Sequence, residues 1–344
     1  MKAFQFVAWQ KPPQLVDVPV REPGPGQVLV KIAASGACHS DLHVMEWPEG
    51  QLPWKLPFTL GHEPAGFVEQ VGAGVTGLAR GDGVLVYGPW GCGRCVPCRG
   101  SAEQYCDRQG ELGGSGVGLG FDGGMAEYLL VPSARFLVPL GDLDPVQAAP
   151  LTDAALTPYS ALKPHLGRLG PGSAALVIGA GGLGHMAIQL LRALTPAEVI
   201  AVDASSDKLA LAREVGATHA VPAGDDAVAR IRSITPRHGV DLVLDCVGAE
   251  PTLKLAAAAL RPCGHLSVIG LAMGTLPFSF FAVPYGASVG TSYWGSIAEL
   301  MEVVSLARAG DLKVHVETFP LARVAEAYDR LKKGTLSGRA VVVP

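Results

Sequence analysis

The sequence predicts an α/β protein of two domains: a β-rich domain drawn from both ends of the chain, and a doubly wound parallel-sheet domain inserted between them. Three observations predict this. At 344 residues the chain exceeds a typical single domain. Its first 150 residues are short apolar runs punctuated by Gly and Pro, which is strand-and-turn chemistry. From about residue 155, apolar runs alternate with helix-length stretches, the pattern of βαβ units on a parallel sheet.

Taken in order, VLVKIAA, GFVEQVG, GVLVYG and EYLLVP read as strands of the first domain. SAALVIGAGGLGHMAIQLLRAL is a strand, a Gly-rich turn and a helix, and EVIAVDASSDKLALAREVGA repeats that order. DLVLDCVGAEPTLKLAAAALRPCGHLSVIG supplies two more strands around a helix. SFFAVPY reads as a further strand and SIAELMEVVSLARAG as a helix; their apolar surface serves either an interface or burial within the subunit. GRAVVVP closes as a strand. The expected domains are 1–154, 155–292 and 293–344, the last returning to the first, with a cysteine-rich lobe at 91–107. No fixed-period repeat or low-complexity tract interrupts them.

Composition narrows the function classes. Hydrophobic residues make up 49% and charged residues 17%, so the chain can bury a large core. A net charge of −4 without a basic run offers little to a phosphate backbone or an anionic bilayer, so neither nucleic acid nor membrane is an expected partner. The apolar run in MKAFQFVAWQKPPQ is too short for a signal peptide, and no segment reaches the roughly twenty apolar residues of a membrane span. A cytoplasmic location is expected. There, seven cysteines would be free thiols or metal ligands rather than disulfides.

Gly179, Gly181 and Gly184 form G-x-G-x-x-G between a strand and a helix, with Gly182 and Leu183 inside the turn. The first glycine permits a tight turn, the second lets backbone approach a pyrophosphate, and the third lets helix and strand pack closely. The helix N-terminus then offers unpaired N–H groups to the phosphate. Asp203 ends the next strand, where a carboxylate accepts from both ribose hydroxyls and repels a 2′-phosphate, favouring NAD over NADP. Lys208 reads either as a ribose-edge contact or as a solvated helix charge.

Cys92, Cys95, Cys98 and Cys106 are spaced C-x2-C-x2-C-x7-C. Four thiolates fill a tetrahedral zinc shell and leave no position for a substrate, so this site is a structural staple. Cys38 in GACHSDLH, His62 in LGHEPAG and Asp153 in APLTDAALTPY form a second set, each among turn-forming or small residues. Thiolate, imidazole and carboxylate would leave zinc a fourth, open position. The alternative for His62 is an ordinary structural or surface histidine. Cys246 and Cys263 read as buried thiols in the parallel-sheet domain.

With these motifs, GHE and CHSDLH in hand, the chain resembles, from end to end, the zinc-dependent medium-chain alcohol dehydrogenases. Through VYGPWGCG, PLTDA, LTPY and SYWG it resembles in particular the bacterial NAD-dependent secondary-alcohol dehydrogenases. The resemblance implies a GroES-like catalytic domain, a Rossmann coenzyme domain, NAD, and two zinc ions per subunit. It implies catalytic zinc on Cys38 and His62, with Asp153 where many relatives carry Cys. Asp153 as a ligand stands against a reading in which Glu63 or water completes the shell. Ser40 and His43 match the family's proton relay, through a hydroxyl, the cofactor ribose and an imidazole. Glu63 and Asp41 match carboxylates behind the zinc, Asp41 orienting His62. Thr157 and Ile269, Gly270 and Leu271 match nicotinamide-facing positions, and His39 and Arg339 match pyrophosphate contacts. Trp47, Trp54, Tyr87 and Trp294 are candidates for an apolar pocket wall or for core. The implied reaction is reversible hydride transfer between a secondary, or also a primary, apolar alcohol and NAD. A polyol or sugar-alcohol dehydrogenase and a non-catalytic nucleotide sensor are the competing readings. The expected partners are a small-molecule alcohol or ketone and further copies of the chain, as a homotetramer or, alternatively, a homodimer.

Overall fold

The computed structural model describes residues 1–235, 237 and 239–344. The chain divides into two compact units, one of Met1–Asp153, Ser296–Arg308 and Val314–Pro344, the other of Ala154–Gly295 and Ala309–Lys313.

The first unit is built on a seven-stranded sheet. Its main path runs Leu137–Pro139, Gly83–Val86, Glu63–Val71, Val28–Ala37, Arg339–Val343 and Val316–Pro320, and Tyr128–Val131 also pairs with Val28–Ala37. A small sheet of Gln14–Asp17, Lys2–Phe6 and Phe58–Thr59 accompanies it. Register matters most around Gly36, which faces Glu63 on one neighbouring strand and Val341 on the other. A Cβ on Gly36 would lie 1.6 Å from Glu63 Oε2, so only glycine leaves room for that carboxylate.

The second unit holds a six-stranded, all-parallel sheet in the order His219–Pro222, Glu198–Asp203, Ala174–Ile178, Val240–Asp245, Leu260–Val268, Ser288–Thr291. Numbered within the unit this is 3-2-1-4-5-6, the doubly wound dinucleotide-binding order. Ala174–Ile178 is buried at every position, which explains its uninterrupted apolar sequence. Leu176, Ile200, Val243, Leu253, Ile231 and Leu266 belong to one core cluster.

SFFAVPY is not a strand: turns close from Ala282 N–H to Ser279 O and from Ala287 N–H to Pro284 O, and the edge strand begins only at Ser288. Pro284 lacks the N–H a ladder needs, and Phe280 and Phe281 are 74% and 84% exposed rather than packed. Cys263 is not buried either. It is exposed at φ +63°, where the strand Leu260–Val268 bulges out of register with its neighbour, while Cys246 is half-buried.

Candidate active site

Cys38 sits where the strand Val28–Ala37 gives way to the helix His39–Glu46, and its extended backbone (φ −118°, ψ 155°) caps that helix. The Cys38 N–H donates to Asp41 Oδ2 (3.1 Å), one turn into the helix. His62 immediately precedes the strand Glu63–Val71, and Asp153 follows the short 3-10 turn Ala149–Thr152. Cys38, His62 and Asp153 are 3%, 2% and 9% exposed, and one donor atom from each lies within 4.8 Å of the others. Cys38 Sγ and His62 Nε2 each lie 3.6 Å from Asp153 Oδ2. Zinc bonds of about 2.0–2.3 Å in tetrahedral array put ligand atoms roughly 3.3–3.8 Å apart, so this donor set fits one zinc ion.

Carboxylates and one arginine brace the set. His62 Nδ1 bonds Asp41 Oδ1 (2.9 Å), which turns Nε2 toward the other ligands. Asp41 is wholly buried and also accepts from the Tyr328 hydroxyl (2.8 Å). Burial pushes the His62 imidazolium down, but the charge of Asp41 and bonds to Asp153, Asp41 and Cys38 outweigh it and raise the pKa well above its ordinary value. Arg339 grips Glu63 with two bonds, Nε to Oε2 (2.9 Å) and Nη2 to Oε1 (2.5 Å), and reaches Asp153 Oδ2 at 3.0 Å. Burial raises the Glu63 carboxyl to about 7, against the pull of Arg339. Arg339, expected on the pyrophosphate, is thus 3% exposed and engaged with these two carboxylates. Ser40 Oγ lies 3.2 Å from Cys38 Sγ. His43 is half-buried, His39 exposed.

The cysteine lobe forms a separate cluster. Cys92, Cys95, Cys98 and Cys106 offer sulfurs within 4.8 Å of one another, with Cys92–Cys98 at 4.0 Å and Cys95–Cys106 at 3.9 Å. Bonds of about 2.3 Å to a shared zinc give sulfur separations near 3.8 Å, so these four also fit an ion. Backbone N–H groups of Cys92 and Arg108 point at Cys106 Sγ, and the buried Glu103 is paired with Arg135 at 2.7 Å.

In the second unit Gly179 adopts φ +85°, and a Cβ on Gly184 would lie 1.8 Å from the Gly179 carbonyl oxygen. A Cβ on Gly181 would meet nothing within 4 Å. Packing therefore explains the outer glycines, whereas the middle one keeps open a space at the N-terminus of the helix Gly182–Leu194, as a nucleotide phosphate requires. Gly182 and Leu183, half-buried, open that helix. Asp203 accepts from Ala180 N–H (2.8 Å) and Ser205 N–H (2.9 Å), which aims the carboxylate beside the turn. Lys208 is half-buried, its N–H donating to the helix cap Ser205. Thr157 and Ile269 are 5% exposed, Leu271 is 45% exposed, and Ile269 and Gly270 both donate to Asp245 O.

Of the four aromatic candidates, Trp47 and Trp54 are half-buried, Trp54 set edge-on to Phe58. Trp294 is 4% exposed at φ +53° against Tyr293. Of its two alternatives Tyr87 takes the core: it is fully buried, and its hydroxyl donates to Gln104 (3.1 Å). Sequence reasoning missed Tyr328. The signal was available: Val324, Ala327, Tyr328 and Leu331 follow helical spacing and are all buried in the helix Val324–Lys332, marking the tyrosine as an inward polar group.

An open three-donor set, a closed four-thiolate cluster and a doubly wound sheet with a glycine turn define a class, the zinc-dependent, nucleotide-linked dehydrogenases. Residues 24–142 match the alcohol dehydrogenase GroES-like domain, and residues 182–309 match the zinc-binding dehydrogenase domain. The chain is 38% identical to an NAD-dependent alcohol dehydrogenase of Sulfurisphaera tokodaii, over 100% of both chains. It is 33% identical to a D-arabinose 1-dehydrogenase (NADP(+)) of Saccharolobus solfataricus, over 100% of this chain and 97% of that one. The crystal structure of the alcohol dehydrogenase from Aeropyrum pernix superposes with a TM-score of 0.92 at 37% identity, covering 100% of both chains. The protein belongs to the zinc-binding medium-chain alcohol dehydrogenase family.

Proposed function

We propose that the protein is an NAD-dependent zinc alcohol dehydrogenase that interconverts secondary, and also primary, apolar alcohols with their ketones or aldehydes, yielding NADH and a proton. The observation that carries this reading is the geometry of Cys38, His62 and Asp153, whose separations suit a single zinc and whose three donors leave a fourth position open. Zinc held there supplies Lewis-acid polarisation of the alcohol oxygen, and NAD supplies the hydride acceptor.

The chain's own residues do the rest. Asp41 holds His62 in the tautomer that presents Nε2, and Arg339 holds Asp153 and Glu63 in place. The Ser40 hydroxyl, beside Cys38, accepts and passes the proton, and the His43 imidazole releases it to solvent. The glycine turn and the helix Gly182–Leu194 take the pyrophosphate, and Asp203 and Lys208 take the ribose edge. Thr157 and residues 269–271 face the nicotinamide, whereas Arg339, buried against Glu63 and Asp153, serves the metal site instead of the pyrophosphate. Trp47 and Trp54, half-buried in the first unit, shape the alcohol site. Cys92, Cys95, Cys98 and Cys106 hold the second zinc.

Elemental analysis of chelator-washed protein, alongside alcohol-dependent NAD reduction, tests this. Two zincs per subunit are expected; a single zinc with full activity would remove the three-ligand site from the chemistry. The D-arabinose 1-dehydrogenase relative favours a second reading, a sugar or polyol substrate. Higher kcat/KM for a pentose than for a secondary alkanol would select it.

The same proposal places the enzyme in the cytoplasm as a homotetramer. All seven cysteines are free, as in a reducing compartment, and no helix among the described residues is long and apolar enough to cross a membrane. Phe278, Phe280, Phe281 and Tyr285 are exposed beside the sheet's edge strand, in a stretch from Leu266 to Gly295 with no charged side chain. Such a surface suits burial against another copy. Light scattering should return about four times the 35.6 kDa subunit mass; a monomer or a dimer at micromolar concentration would contradict it.

A further inference from the structure

We infer that Tyr328 is a positioning residue for the metal centre, its hydroxyl locking the Asp41 carboxylate that in turn fixes both Cys38 and His62. The inference rests on reading Cys38, His62 and Asp153 as zinc ligands.

Asp41 has no exposed surface, so its charge must be answered entirely by donors within the fold. Oδ1 receives the His62 ring, and Oδ2 receives both the Cys38 N–H and the Tyr328 hydroxyl. Two of these three donors belong to the ligands that Asp41 orients. Among the described residues Tyr328 alone comes from elsewhere, 287 residues along the chain. Without it, the carboxylate would be held only by the groups it is meant to hold, and could pivot together with them.

The tyrosine is itself anchored. It is 5% exposed in the helix Val324–Lys332, its ring stacks on Phe4 with centroids 5.9 Å apart, and Val324, Ala327 and Leu331 are buried in the same helix. Lys332 of that helix reaches Glu46 of the helix His39–Glu46 at 2.7 Å. Being exposed, that ion pair adds little, so the buried hydroxyl is the significant link between the helix and Asp41. Outer partners of this kind set the orientation and basicity of a metal-bound imidazole.

The test is Tyr328→Phe, which keeps the ring and its stack and removes one oxygen. Holoprotein is mixed with a chromogenic zinc chelator and release is followed in time, with Cys38→Ser identifying the phase that belongs to the three-ligand site. Tyr328→Phe should accelerate that phase by about tenfold and leave the four-cysteine phase unchanged. In an Asp41→Asn background the same substitution should change the rate by less than about twofold, since the hydroxyl acts through the carboxylate. p-Aminophenylalanine at position 328, which restores a donor on the same ring, should return the slow phase; it also serves as the test should the Phe variant not fold, acceleration then counting against the inference. An unaltered three-ligand phase with a lowered Tm would make Tyr328 merely structural and overturn the inference, as would equal acceleration in both backgrounds. A wild-type protein with a single zinc and a single phase would overturn the ligand reading itself, and is told apart by the zinc count.

Discussion

Arg339 is the residue on which the electrostatics of the centre turn. Its guanidinium is the cation that neutralises both Glu63 and Asp153, in a setting where all three side chains are nearly or wholly removed from water. Arg339→Ala should cost about 3–5 kcal/mol, the usual result of breaking a buried pair by removing one partner. The loss is softened because Glu63, already raised to about 7 by burial, takes up a proton. Arg339→Lys should fall between, since an ammonium keeps the charge but not the fork. Denaturant midpoints check both, and equal midpoints for Ala and wild type would contradict the account. His43 makes a kinetic prediction. Burial lowers its pKa below 6.5 against the opposing charge of Glu46, so the neutral, proton-accepting imidazole persists as pH falls to that point and below. His43→Gln should therefore slow alcohol oxidation mainly on the acid side, where solvent hydroxide is scarcest. A pH profile superimposable on wild type would take His43 out of the proton path.

At the scale of elements, the glycine turn separates folding from binding within six residues. Gly181→Ala adds a methyl group into open space, but on a backbone (φ −80°, ψ −145°) outside the favoured regions for a residue with a Cβ, so it should cost about 1–3 kcal/mol while leaving the fold intact. NAD affinity should drop about tenfold or more, because that methyl occupies the approach of the phosphates. Gly184→Ala should instead compromise the fold, as its methyl meets the Gly179 carbonyl at 1.8 Å. Thermal melts and NAD titration of the two variants check this, and weakened binding in neither would refute the phosphate assignment. Such local devices are legible in sequence because their chemistry is written in short spacing: the glycine turn and the four-cysteine lobe each lie within fifteen residues. Asp41 with Tyr328, and Glu63 with Arg339, are separated by 287 and 276 residues, and no local pattern announces such partners. SFFAVPY departs from its sequence pattern for a different reason. Its aromatic residues carry strand propensity, but propensity reflects a half-buried sheet surface, and Pro284 and two turns keep this segment outside the sheet.

Stability of the whole molecule carries a pH signature remote from the metal sites. The rings of His165 and His265 stack at 3.8 Å, and His265 Nδ1 lies 2.7 Å from Ser288 Oγ. Burial first, then the charges of His165 and Arg168, push His265 down to about 4. The folded protein therefore binds fewer protons here than the unfolded chain, whose histidines titrate near 6.5. This contribution is complete above about pH 6.5 and is lost progressively as pH falls toward 4. His265→Gln should show a shallower decline of Tm between pH 7 and 4.5. The difference between variant and wild type is the informative quantity, and parallel curves would refute the assignment. The long separations in the centre also dictate an order of events during translation. Cys38, His62 and Asp153 leave the ribosome first, but Tyr328 and Arg339 follow only after the entire nucleotide-binding unit has been made. A nascent chain thus carries its metal ligands without their two distant braces while the whole second unit is made, and zinc arriving before then meets a centre that is still loose.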